Sequence, residues 1–251
     1  MSGLGALIKK ELKEQLKTYR FLIIAIVFLI FGLTTPLMLK YLPEILKIAG
    51  EDIIIDIPPA TAVQALTEYA DTIAQMGVLI VVLVTMGAIS REIEKGTAAM
   101  VLSKPVSRAA FILAKLFTLS TSFVVALVLA SIACYVYTVI LLGEADITAF
   151  IALNGLLILF FIVVISVTLL LSSVFKSQLA AGGLALVFFV GQAVIANLPK
   201  IGEYMPSGLV SWGTGLLTGD TASAWGAVRM SLAIIIACLY LTWLRMRNKE
   251  L

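Results

Sequence analysis

Uncharged residues run without interruption over positions 21–39, 72–90, 116–143, 147–175, 177–199 and 230–244. A helix needs about 18 consecutive apolar residues to cross a bilayer core. The first five runs reach that length. The sixth reaches it by extending past Arg229 to Trp225, which an arginine snorkelling to the interface permits. The runs are too long, and too lacking in strict alternation, to be barrel strands. Lipid offers no hydrogen bonds to an open backbone, so helices are the remaining solution. The pattern predicts an all-α integral membrane protein with six transmembrane helices, at about 21–40, 72–90, 109–141, 148–172, 179–198 and 225–245.

A shorter period precedes the first span. In LGALIKKELKEQLKTY, helical spacing puts Leu4, Leu7, Ile8, Leu12, Leu16 and Tyr19 on one arc and Lys9, Lys10, Lys13 and Lys17 on the opposite one. Residues 1–19 are therefore expected to form an interfacial helix with its lysines toward lipid phosphates. Glu11 breaks the pattern by falling on the apolar arc. It either snorkels or makes a polar contact with the neighbouring loop. No small-x-small cleavage site follows the first apolar run, so that span is expected to be retained.

The connecting segments differ in character. Residues 42–70 are acidic, with a turn-like EDIIIDIPPA and a stretch, ATAVQALTEYADTIAQ, that can continue as helix into the second span. GEAD at 143–146 reads as a tight turn. Residues 199–224 are rich in Gly, Pro, Ser and Thr yet half apolar, a composition suited to dipping back into the membrane. No internal repeat is visible, and a single polytopic domain covers residues 1–251.

Charge then sets an expected orientation. With the N-terminus inside, the inner segments hold 14 of the 18 basic residues and the outer segments 10 of the 15 acidic ones. By the positive-inside rule both termini are cytoplasmic, and the protein belongs in the cell membrane as a multi-pass chain. Only 13% of residues are charged and 61% are apolar, so the formal net charge of +3 is no signature of nucleic-acid binding.

The residues exclude several chemistries. There is no histidine, and no carboxylate falls mid-span, so intramembrane hydrolysis and carboxylate-coupled ion transport lack candidates. Cys134 and Cys238 lie within spans and read as packing residues rather than a disulfide; no metal site is expected. The mild polar groups of the spans, Thr118, Ser120, Thr121, Ser122, Tyr135, Tyr137, Thr138, Asn154 and Gln192, serve either helix–helix hydrogen bonds or a substrate path. No G-x-x-x-x-G-K-[ST] occurs, so any ATP-driven step belongs to another chain.

One inner segment, SREIEKGTAAMVLSKPVSR at 90–108, concentrates the remaining charge in Arg91, Glu92, Glu94, Lys95, Lys104 and Arg108. Arg91 and Glu94 have the i, i+3 spacing of an ion pair. Gly96 should interrupt the helix, Thr97 can cap a new one of about two turns, and Pro105 should end it. Ser107 can cap the third span. Met100, Val101 and Leu102 have no core of their own to enter. On these grounds alone the stretch is either a plug for a partner's cleft or an inert turn.

Glu92, Glu94, Gly96, Thr97, Pro105, Ser107 and Arg108 match, in place, a pattern that resembles the cytoplasmic loop of type 2 ABC exporter permeases. KKELKEQLKTYR similarly resembles that family's interfacial helix. TAAM departs from it, since the family more often has Leu soon after the Thr. The resemblance covers the whole chain in layout and is closest in flavour to the membrane subunit of the nitrous-oxide-reductase maturation transporter. It implies that residues 91–108 form a coupling loop seated on a separate ATP-binding cassette subunit, which would hold the ATP and Mg. It also implies a second permease copy, as homodimer or similar heterodimer, with the first and fifth spans near the shared axis. This chain would bind no cofactor itself. The alternative is a membrane subunit that transmits force to an extracytoplasmic partner without passing a substrate.

Overall fold

The computed structural model describes residues 3–49, 59–97, 107–196, 198, 201–220 and 222–247. The turn expected in EDIIIDIPPA lies mostly outside these residues. The coupling helix expected over 97–104 does too, apart from Thr97.

The described chain is helical throughout. The N-terminal helix α1 spans Leu4–Lys17, followed by α2 (Arg20–Ala49), α3 (Ala62–Thr85) and the one-turn α4 (Ser90–Glu94). Beyond the loop come α5 (Arg108–Leu142), α6 (Ile147–Val174) and α7 (Gln178–Ile195). A 3-10 turn at Gly202–Tyr204, α8 (Gly208–Thr218) and α9 (Trp225–Arg247) complete it. Six helices, five of them single elements and one formed by α3 continuing through α4, are long and apolar enough to cross a membrane. The two extended spans follow from local sequence. Thr61 caps α3 by accepting from Gln64 N at 3.2 Å, which starts the second span ten residues before the uncharged run. α2 runs on to Ala49 through Pro36 and Pro43.

Caps account for the other boundaries. Ser107 accepts from Ala110 N at 3.1 Å, as its position before the third span predicts. Asp146 accepts from Thr148 N at 2.8 Å and Ala149 N at 3.3 Å, so the GEAD turn ends in a double N-cap. Between α1 and α2 the chain turns at Tyr19, whose φ of 58° is left-handed, a conformation costly for a side chain with a Cβ.

α6 is the axis of the bundle. It packs against α3, α5, α7, α8 and α9. In its most apolar 18-residue stretch 61% of residues are buried, against 22–33% in the other spans. Phe161 on α6 meets Phe28 of α2 at 5.9 Å, and Phe28 meets Phe123 of α5 at 6.0 Å. Gly77 lets α3 join them, because a Cβ there would stand 2.5 Å from the Phe161 ring. Packing has to do this work: a side chain leaving lipid for protein gains no hydrophobic transfer energy, only contacts. α2 and α5 come close enough that a Cβ on Gly32 would lie 2.5 Å from the Ala130 carbonyl oxygen.

Within the bundle, Asn154 resolves one of the two readings of the span polar groups. Ser131 of α5 donates to its Oδ1 at 2.6 Å, and Tyr69 of α3 reaches the same oxygen at 3.4 Å. Three helices are thereby hydrogen-bonded in the apolar zone. The segment after α7 does fold back: α8 packs against α3 and α6, with Leu209, Val210, Gly213 and Leu217 buried. Cys134 and Cys238 are free thiols.

Candidate functional site

α1, the α3–α4 break and the first turns of α5 meet at one end of the bundle, where the basic segments cluster. They enclose a cleft of about 490 Å3. Glu11, on the apolar arc of α1, faces Lys115 of α5, whose Nζ donates to its two carboxylate oxygens at 3.2 and 3.3 Å. The same ammonium donates to Glu92 of α4 at 2.8 Å. Lys115 is 4% exposed, while Glu11 and Glu92 are 13% and 15% exposed. Lys10 lies across the mouth, 3.4 Å from Glu11, 3.7 Å from Glu92 and 3.8 Å from Glu14. Two ammonium groups thus hold three carboxylates, and the buried Lys115 with its two partly buried partners is the part whose disruption costs most.

Burial lowers the Lys10 pKa, but Glu92, Glu11 and Glu14 together raise it further, so it stands above the ordinary lysine value of 10.5. A lysine raised on docking contributes in full below its free value and loses that contribution only as pH rises through the raised one. The contribution of Lys10 to the contact of α1 with this cleft therefore does not change with pH across the neutral range.

Gln15 continues the buried face of α1, one turn beyond Glu11. Ser122 of α5 donates to its side-chain oxygen. The docked face of α1 is consequently more polar than its sequence arc suggested: Leu7 and Gln15 are buried, while Leu16 and Tyr19 are exposed. Glu11 does not snorkel, and it reaches the loop base through the shared Lys115.

The loop base is fastened elsewhere as well. The second span breaks after Thr85, and the turn 86–89 leads into α4. Ser172 of α6 accepts from Ile89 N at 3.1 Å and Ser90 N at 3.0 Å while donating to Met86 O at 2.7 Å. That saturates one hydroxyl. Arg91 does not pair with Glu94 as their spacing suggested; its Nε donates instead to Gln178 Oε1 at the start of α7. Glu94 and Lys95 are exposed. Gly96 takes a φ of 68°, the left-handed break expected there. The Thr97 hydroxyl donates back to Glu92 O at 3.3 Å. On the far side of the loop, Arg108 donates from Nη1 to Met246 O at 2.6 Å and to Arg247 O. It thus satisfies two of the orphan carbonyls that end α9, where a cation also suits the helix dipole. Lys9, Lys13 and Lys17 are exposed on the other face of α1.

Of the residues singled out in the sequence, Glu11, Glu92, Lys10, Arg91, Gly96, Thr97, Ser107 and Arg108 therefore converge on one end of the fold. Met100, Val101, Leu102, Lys104 and Pro105 lie outside the described residues. Sequence reasoning missed Lys115, Ser172, Gln178 and Gln15. For Lys115 a signal existed: a lone cation at the start of a long apolar run, opposite a carboxylate misplaced on an apolar arc. Ser172 had none, being one serine among several.

The arrangement defines a polytopic helical membrane protein whose loop between the second and third spans is anchored to most of the bundle. Over residues 5–203 the chain matches the family described as ABC-2 family transporter protein, and it belongs to that family. Its role is accordingly that of the membrane component of an ABC transporter, a family with a separate ATPase partner. The chain is also 26% identical to an uncharacterized transmembrane protein YxlG of Bacillus subtilis (strain 168), over 100% of this chain and 99% of that one.

Proposed function

We propose that the protein is the permease subunit of an ABC exporter and that a separate ATPase subunit drives it by docking on residues 91–108. The observation that carries this reading is the mechanical anchoring of that stretch. Glu92 ties it to α5 and, through Lys115, to α1; Ser172 ties its entrance to α6; Arg91 ties it to α7; Arg108 ties its exit to α9. A displacement of residues 89–97 or of Arg108 has to move the helices they are tied to. An inert turn has no need of five anchors. Both termini and this loop face the cytoplasm, in accord with the basic charge gathered there.

Between α5 and α6 the void amounts to about 10 Å3, while a cleft of about 850 Å3 lies among α7, α8 and the start of α9, lined by Ala193, Trp212, Asp220 and Arg229. We place the path between two copies, with the exposed apolar faces of α2 and α7 among the surfaces available to a second chain. Gly183 and Gly191 have open space around them for such an approach, whereas Gly182 is filled within the chain by Met86.

The test is co-purification of the ATPase and ATP-dependent activity with Met100→Asp/Leu102→Asp. Burying two such side chains in a partner contributes roughly 3–6 kcal/mol before the costs of association. Charges placed there should remove both partner and activity while the membrane domain still inserts. Retention of both overturns the docking role.

A further inference from the structure

We propose that the cleft between α1, α4 and α5 binds one phospholipid headgroup that carries both an anionic phosphate and a hydrogen-bond donor. Three observations converge on it. First, the cleft is lined by Lys10, Arg20, Arg91, Lys95 and Lys115 against Glu11, Glu14 and Glu92, a surplus of two positive charges among the described residues. The carboxylates are taken up by Lys10 and Lys115, which leaves Arg20, Arg91 and Lys95 with no carboxylate within ion-pair distance among the described residues. Arg91 spends its Nε on Gln178, an amide that cannot cancel its charge.

Second, Glu92 Oε2 is buried in this same network and has no hydrogen-bond partner among the described residues. A buried carboxylate oxygen left unpaired is costly and calls for a donor. The glycerol hydroxyl of phosphatidylglycerol can supply that donor while its phosphate answers the cations. Third, the site has an apolar side. Val84 and Leu119 form part of its wall, and Leu16, Tyr19, Leu22 and Ile23 are exposed around Arg20 where α1 turns into α2. A soluble phosphate compound uses none of this surface; an acyl chain does. The shared chemistry is phosphate recognition, and the apolar flank assigns it to a lipid. The proposal stands independently of the ATPase.

The experiment uses the purified full chain in mild detergent, with bound lipid counted by native mass spectrometry. Phosphatidylglycerol is titrated against phosphatidylcholine, whose choline offers no donor. One phosphatidylglycerol per chain should be retained in preference. Arg20→Gln/Lys95→Gln should weaken that retention by roughly tenfold or more, each near-surface cation contributing a severalfold share. Lys9→Gln/Lys13→Gln removes the same charge from the opposite face of α1 and should leave it intact, as should Arg20→Lys/Lys95→Arg. Equal losses in the two neutral pairs, or no preference over phosphatidylcholine, overturn the site. Release of the lipid by millimolar inorganic phosphate alone overturns the lipid assignment.

Discussion

Replacing Lys115 by methionine isolates the buried charge network. The side chain keeps its length and apolar stem and loses only its ammonium. Glu11 and Glu92, each about six-sevenths buried, then face one another with Lys10 as the one cation left within ion-pair distance among the described residues. Lys10 is 45% exposed and its contacts are longer than those of Lys115, so it offsets little, of order 0–1 kcal/mol for a surface pair. Removing one partner of a buried ion pair costs about 3–5 kcal/mol because it strands the other charge. Lys115→Met should therefore lower the unfolding temperature markedly and loosen α1, so that its backbone frays and trypsin cuts faster after the exposed Lys9, Lys13 and Lys17. Adding Glu92→Gln removes one of the stranded charges, and the double variant should recover part of the loss. The cycle should give a coupling between the two positions of about 0.5–3 kcal/mol. Additive effects, or a Lys115→Met protein as stable and protease-resistant as the parent, refute the reasoning.

Ser172→Ala orphans the buried donors Ile89 N and Ser90 N, at about 1–3 kcal/mol per unsatisfied group; amide exchange over 86–94 should accelerate, and Ser172→Thr should restore protection. Gly32→Val should destabilise the α2–α5 contact strongly in thermal unfolding, since even a Cβ meets Ala130 O at 2.5 Å, whereas Gly155→Ala, with nothing within 4 Å, should be neutral or slightly stabilising. In intact cells, a cysteine at Glu51 should react with a membrane-impermeant thiol reagent and one at Ser103 only after permeabilisation; the reverse pattern refutes the orientation.

The spans were legible in the sequence because a bilayer imposes a one-dimensional rule. Its thickness fixes how long an uncharged run must be, and its lack of hydrogen-bond partners leaves the helix as the form that run takes. Helix ends were nearly as legible where a short polar side chain sits at the boundary, as Ser107 and Asp146 do. The first two spans were the exceptions. α2 runs to Ala49 past Lys40 and Glu44. The start of the second span at Thr61 was obscured by Glu68 and Asp71 inside the helix, and its break at Thr85 depends on Ser172 of another helix.

The meeting of Glu11 with Lys115, 104 residues apart, was decided only by the tertiary structure. So were the diversion of Arg91 to Gln178 rather than Glu94 and the seating of Arg108 on the end of α9. Each depends on how the helices are rotated about their axes. That rotation is set by close packing, at Gly32 against Ala130 and Gly77 against Phe161, rather than by the polar residues themselves. The sequence determined which residues could not remain in lipid; packing determined which of them found one another.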